Sequence, residues 1–229
     1  RLSLVGSEMC IRDSSMKAEF LIDYCHQDDW QPQGGLRQSP IDIQTSLVQD
    51  NDETLATIQV NFSDKTATFF NNGQNLQLLG VGEATFNKRL FHFVQMHFHA
   101  DSEHHINGKS FPLEGHFLFQ SHSGVVAVIG VFYQAGEYNS DFESILNQYD
   151  QQKGEGTFSV DELIPENKSY YHYIGSLTTP PLTEGVEWYV MKNVLEVSAE
   201  QLLRFIDIHG RNNRECQLIN ERKVFSYNE

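Results

Sequence analysis

Within the segment QMHFHADSEH (residues 95–104), Gln95, His97, His99, Glu103 and His104 can all bond a metal or exchange a proton. Side chains alternate across an extended strand, so His97 and His99 share one face and can bind one ion from adjacent rungs. His116 lies in the next apolar run, beyond a turn, and reaches the same point if the two strands pair antiparallel. Three neutral imidazoles leave one position of a tetrahedral zinc ion open for water, which is the catalytic pattern rather than the closed structural one. Each ligating histidine must donate its other ring N–H to an acceptor. Gln95 stands two residues before His97 and Glu114 two before His116, each on its histidine's face. A carboxylate left unpaired on a buried face is costly, so Glu114 needs such a partner.

His-x-His alone arises by chance in a chain with 10 histidines. His92, His104, His105 and His122 read by default as surface or core residues. His116, Glu114 and Gln95 in register are what turn the reading toward a metal site.

These residues need strands to hold them, and the chain supplies strand patterns. Ala67–Phe70 and Leu76–Leu79 flank NNGQ, a hairpin signal at Asn72-Gly73. Leu90–Ala100 and Gly115–Gln120 read as strands, with the turn between them at Asn107-Gly108. Val125–Tyr133 is apolar on both faces, as in the centre of a sheet, and Val186–Met191 is another strand. Helices are few. Ser198–Gly210 opens with Ser198 three residues before Gln201, a capping-box spacing, and Asp141–Tyr149 is a weaker helix. Without repeats or a low-complexity linker, the pattern is one mostly β domain, expected over 16–229.

The chain has 229 residues, with 39% hydrophobic residues and 16 phenylalanines to supply a core. No apolar run approaches a membrane span. With 16 Lys+Arg against 31 Asp+Glu, the net charge of -15 opposes binding to nucleic acid or anionic lipid. Arg1–Ser14 (RLSLVGSEMCIRDS) has no clean periodicity and joins awkwardly to the segment after it, so residues 1–15 read as a non-native or disordered leader, with Met16 as the native start. Met16–Gln27 is not a signal peptide, because acidic residues stand where an apolar stretch belongs. Cys10, Cys25 and Cys216 form no C-x-x-C pair. Free thiols and a cytoplasmic location are the expectation, with a single Cys25–Cys216 bridge as the alternative; loss of an upstream signal peptide would make it periplasmic or secreted.

Three segments in order, RQSPIDI (residues 37–43), HFHADSEH (97–104) and GSLTTPPLTEGVEW (175–188), together resemble the α-class carbonic anhydrases. The resemblance runs from about Trp30 to Phe225, and ENKSYYHYIGSLTTPP is long and specific. It implies a mostly β fold with short helices around a large, twisted, mainly antiparallel sheet. The implied activity is reversible hydration of carbon dioxide to bicarbonate by a zinc-bound hydroxide, in a monomer or homodimer. His97, His99 and His116 are then zinc ligands, with Gln95, Glu114 and the backbone carbonyl of Asn212 as their acceptors. Thr178 accepts a hydrogen bond from the hydroxide and passes its own to Glu103, and Thr179 helps to hold bicarbonate. Leu118, Val128, Leu177, Val186 and Trp188 form the apolar wall for carbon dioxide, although by residue type they are equally core. Small activated esters are a possible side substrate, since zinc hydroxide attacks carbonyls too.

The chain also departs from the family. Fast members carry a shuttle histidine in a segment like NNGH, whereas here Gln74 stands at that place in NNGQN. Glutamine does not titrate near neutrality, whereas imidazole does, at about 6.5. Leu182 follows Pro181 where secreted bacterial members carry a disulfide cysteine, so Cys25 is expected to be unpaired. Two other readings stay open. One is an acatalytic relative serving as a binding module. The other is a cupin, whose first motif His97, His99 and Glu103 match, although Gly108 comes too early and the second motif is absent.

Overall fold

The computed structural model describes residues 22–30, 35–50, 52–62, 65–71, 75–148 and 153–229. The leader 1–15 and the hairpin tip 72–74, with Gln74, lie outside the described residues. The early strands are β1 (Asp42–Ile43), β2 (Gln59–Asn61), β3 (Thr66–Asn71), β4 (Leu76–Gly80) and β5 (Glu83–Phe86). Then come β6 (Arg89–His99), β7 (His105–Ile106), β8 (Leu113–Gln120) and β9 (Val126–Ala135). Helix α1 (Ser140–Leu146) precedes β10 (Lys153–Thr157), β11 (Tyr170–Ser176), β12 (Glu184–Met191) and β13 (Leu195–Val197). Helix α2 (Ala199–His209) and β14 (Phe225–Tyr227) close the described chain.

Among the described residues twelve strands form one sheet, with the path β10-β3-β4-β6-β8-β9-β12-β11-β14; β5 joins β6 to β2, and β13 joins β9. Its pairings are antiparallel except for β12 and β13, which run parallel to β9. β9 is buried on both faces from Ala127 to Tyr133, as its unbroken apolar run requires. β1 and β7 form a separate parallel pair.

One feature of β6 places the chemistry. Phe91 and Phe93 face the main core, and so do Met96 and Phe98. Strict alternation cannot put both pairs on one face. The pairing with β8 shifts between Phe93 and Gln95, a bulge-like irregularity that corrects the phase. Gln95, His97 and His99 are thereby turned away from the core. In the same register His97 stands opposite His116, and His99 opposite Glu114.

The core behind this face is aromatic, with Phe86 packed edge-on against Phe91 at 5.2 Å between ring centroids and Phe93 against Phe119 at 5.5 Å. Fully burying such a ring contributes about 1.5–3 kcal/mol. Helix α2 starts at the expected capping box, with Ser198 Oγ accepting from Gln201 N–H and Gln201 Oε1 from Ser198 N–H. It buries Leu202, Phe205 and His209. Helix α1 begins one residue before its sequence pattern, where Asn139 Oδ1 caps it by accepting from Phe142 N–H at 2.9 Å, and it ends at Leu146. No helix among the described residues is long and apolar enough to cross a membrane.

One expectation is corrected. Cys25 is disulfide-bonded, and Cys216 is the free cysteine among the described residues. The absence of a cysteine after Pro181 removed one pairing only, and cysteine spacing cannot exclude others. A reducing compartment loses that support.

Candidate metal centre and carbon dioxide pocket

The three histidines on the corrected face converge. Ring centroids lie 4.9 Å apart for His97–His99, 5.3 Å for His97–His116 and 4.7 Å for His99–His116. One nitrogen of each ring lies within 4.8 Å of the others. The remaining nitrogens are tied off. His97 Nδ1 donates to Gln95 Oε1 at 2.7 Å, His99 Nδ1 to the Asn212 carbonyl at 2.7 Å, and His116 Nε2 to Glu114 Oε1 at 2.9 Å. These bonds leave the lone pairs on His97 Nε2, His99 Nε2 and His116 Nδ1. His99 Nε2 is buried and has no hydrogen-bond partner, an orphan that a metal ion would satisfy. Burial pushes the pKa of all three below the usual imidazole range, which keeps them neutral and fit to ligate. This all-imidazole donor set suits zinc.

Each support has a structural origin. Asn212 is clamped beside the end of β6: its N–H donates to Ala100 O at 3.0 Å, its Oδ1 accepts from Ala100 N–H at 2.9 Å, and its Nδ2 reaches Phe98 O at 3.2 Å. Glu114 is fully buried and accepts four hydrogen bonds. Oε2 takes the N–H groups of Glu103 and His104 at 2.7 and 2.8 Å, and Oε1 takes His104 Nδ1 and His116 Nε2 at 2.8 and 2.9 Å. Burial alone would raise its pKa, but His104 and His116 hold it well below the usual carboxylate range. His104 is thus a buried network residue, linked through Nε2 to Tyr173 OH at 2.6 Å.

Glu103 behaves oppositely. Burial, reinforced by the charge of Glu114, raises its pKa well above the usual range, while Thr178 and Arg214 pull it down. Its Oε1 accepts from the Arg214 N–H at 2.8 Å. Thr178 lies beside this carboxyl, yet Oε2 completes no hydrogen bond of ordinary geometry. Thr178 is placed by the loop after β11, which is closed by Leu177 N–H to Thr183 O and Leu182 N–H to Thr179 O, both at 2.9 Å.

A cavity of about 170 Å³ opens onto the three histidines. Leu118, Val128, Leu177 and Trp188 form its apolar side, and Thr178, Thr179 and Gln95 line it too. Val186 does not: it stands opposite Gly175 on β11, inside the buried cluster of Val128 and Trp188. Ile22, Tyr24, Asn75 and Gln77 also line the cavity and were not singled out for it from the sequence. Asn75 and Gln77 follow from the β4 register, whereas no pattern in the early segment marks Ile22 or Tyr24. A wider groove of about 700 Å³ along β3, β4 and β10 holds none of these histidines.

Residues 24–228 match the family model of eukaryotic-type carbonic anhydrase. The chain belongs to the α-class carbonic anhydrases. A carbonic anhydrase of Pectobacterium atrosepticum is 36% identical over 198 residues, spanning 83% of this chain and 80% of that one. The solved α-carbonic anhydrase of Thermovibrio ammonificans, in complex with the inhibitor sulfanilamide, superposes with a TM-score of 0.79 at 38% identity, over 83% of this chain and 87% of that one. Dioscorin DB3S of Dioscorea polystachya is 33% identical over 214 residues, or 87% of this chain and 80% of its own length. Carbonic anhydrases are lyases that hydrate carbon dioxide, a small-molecule substrate, and are generally zinc-dependent. The fold expected for that family is the one observed, a large twisted sheet with two short α-helices among the described residues.

Proposed function

We propose that this chain hydrates carbon dioxide reversibly to bicarbonate and a proton, using zinc held by His97, His99 and His116. What supports the reading is the pattern of tied nitrogens: all three rings have one N–H donated outward and one lone pair turned to a common point. When bound there, zinc supplies a hydroxide nucleophile by lowering the pKa of its water to about 7, a value that belongs to carbonic anhydrase itself.

The chain's own residues do the rest. Leu118, Val128, Leu177 and Trp188 offer an apolar wall to a substrate with no charge and no dipole. They cannot compete for it by hydrogen bonding, so it stays free to meet the nucleophile. Thr178, held between the pocket and Glu103, can accept one hydrogen bond on its pocket side and turn its own hydroxyl proton toward the Glu103 carboxyl. That polarity selects an attacking group that carries a proton and orients its lone pair. Thr179 holds the product through its N–H or hydroxyl. The same nucleophile would attack small activated esters as a side activity.

Stopped-flow measurement of carbon dioxide hydration tests the proposal on protein of known zinc content. A fast rate that falls on chelation and returns with zinc is the expected result. Background rate at full zinc occupancy would overturn it and favour a binding module.

A further inference from the structure

We propose a second, surface metal site formed by His92 and His122 with Glu83, suited to a late first-row divalent ion such as copper or nickel. It lies outside the histidine centre and does not depend on the reading of that centre.

The register builds the site. Glu83 of β5, His92 of β6 and Gln120 of β8 occupy one row across three neighbouring strands. The turn after β8 then carries His122 beside His92. That turn is fixed by Ser121, whose N–H donates to Val125 O at 2.9 Å and whose Oγ accepts from Val125 N–H at 3.0 Å. The His92 and His122 ring centroids lie 5.8 Å apart at 68°. His92 Nδ1 is 3.9 Å from Glu83 Oε1, and both side chains are about half exposed.

The converging histidines of the buried centre offer a ruler within the same molecule. Their centroids are separated by 4.7 to 5.3 Å. The surface pair is wider by half an ångström or more, so its exposed side chains would have to rotate to bring their donor atoms onto one ion. His92 shares the sheet face of His97 but lies five residues earlier on β6, about 15 Å away at strand rise. One ion cannot serve both groups.

The donor types decide the ligand. Two imidazoles and one carboxylate suit copper, nickel or zinc, whereas calcium and magnesium take oxygen ligands. Copper heads the affinity order for such donors. Glu83 adds negative charge, and water completes the coordination. As a plain ion pair, Glu83 and His92 would contribute little, because both are solvated.

The test uses protein with its zinc loaded and assayed before and after titration. Copper or nickel binding is followed by calorimetry, and the copper form by electron paramagnetic resonance. One further ion per chain is expected beyond the zinc, with nitrogen hyperfine structure in the copper spectrum. His92→Ala and His122→Ala should each weaken binding at least tenfold, and Glu83→Gln several-fold. These exposed substitutions leave His97, His99 and His116 intact, so loss of the second ion is separable from any failure of the zinc centre. Circular dichroism verifies the fold of each variant. No second ion, or unchanged affinity in the double histidine variant, would overturn the site.

Discussion

Glu114→Gln swaps one oxygen for an amide nitrogen at nearly constant shape. The wild-type carboxylate faces four donors, two on each oxygen. The amide NH2 must therefore face two donors in either orientation. If it faces the main-chain N–H groups of Glu103 and His104, two buried donors are stranded. At about 1–3 kcal/mol for each, the loss is roughly 2–6 kcal/mol, a large share of the 5–15 kcal/mol that holds a typical domain. If it faces His104 and His116, both rings can reverse their tautomers and accept. Stability then survives, but His116 Nδ1 carries a proton where a metal needs its lone pair. The variant therefore loses stability or zinc.

Gln95→Ala is the contrast. His97 and Gln95 are only partly buried, so water can replace the acceptor. Its stability should stay within about 1 kcal/mol of wild type, while zinc affinity falls roughly 10–100-fold. Both variants are to be unfolded in urea as chelated protein, which removes the contribution of metal binding, and their zinc affinity measured by competition with a chelator. Glu114→Gln within about 0.5 kcal/mol of wild type and with undiminished zinc affinity would refute the reasoning.

Thr178→Ala should lower carbon dioxide hydration about a hundredfold, the usual effect of deleting one oriented hydrogen-bonding group, with zinc content unchanged; stopped flow on protein of assayed zinc content checks it. With Gln74 in place of a shuttle histidine, the maximal rate should rise with imidazole concentration, and Gln74→His should raise turnover in weak buffer. A rate indifferent to imidazole would remove that idea. His172 is buried, donates to Trp188 O at 2.8 Å and stacks on Tyr189 at 4.4 Å. Burial lowers its pKa below the ordinary 6.5, so the fold holds it neutral. Its contribution is full above about pH 6.5 and is lost as pH falls below that value, toward the folded pKa. Urea midpoints between pH 7.5 and 5.5 should fall more steeply for wild type than for His172→Gln.

The paired strands of the first hairpin, the doubly buried β9 and the capping box of α2 were legible because each follows from local periodicity or a short-range bond. His97, His99 and His116 were legible as a trio because only antiparallel pairing was needed to join them. The bulge in β6 was visible only as a broken alternation between Phe93 and Met96, which by itself does not say which side the histidines take. β11 stands out in the sequence as a family motif rather than a strand, since its aromatic run (residues 170–173) has no clear alternation. The Asn212 carbonyl came from the resemblance alone. Any residue carries such a group, so no side-chain pattern can announce it. The disulfide at Cys25 and the reach of Tyr24 into the cavity depend on where a long early segment lies, which local rules do not govern.

That carbonyl has a further consequence. Gln95 and Glu114 can be lost by a single substitution, but a main-chain oxygen goes only where its backbone goes. Two residues on, the Arg214 N–H holds Glu103, and the Gln217 N–H then reaches Pro40 O at 2.8 Å. The segment 212–217 thus braces a ring nitrogen and a carboxylate from outside the sheet. By reciprocity, whatever free energy a docked segment lends to metal capture, a captured metal returns to docking. Residues 212–217, far along the chain from the strands they brace, therefore complete the centre, and a chain without them keeps acceptors for His97 and His116 but none for His99.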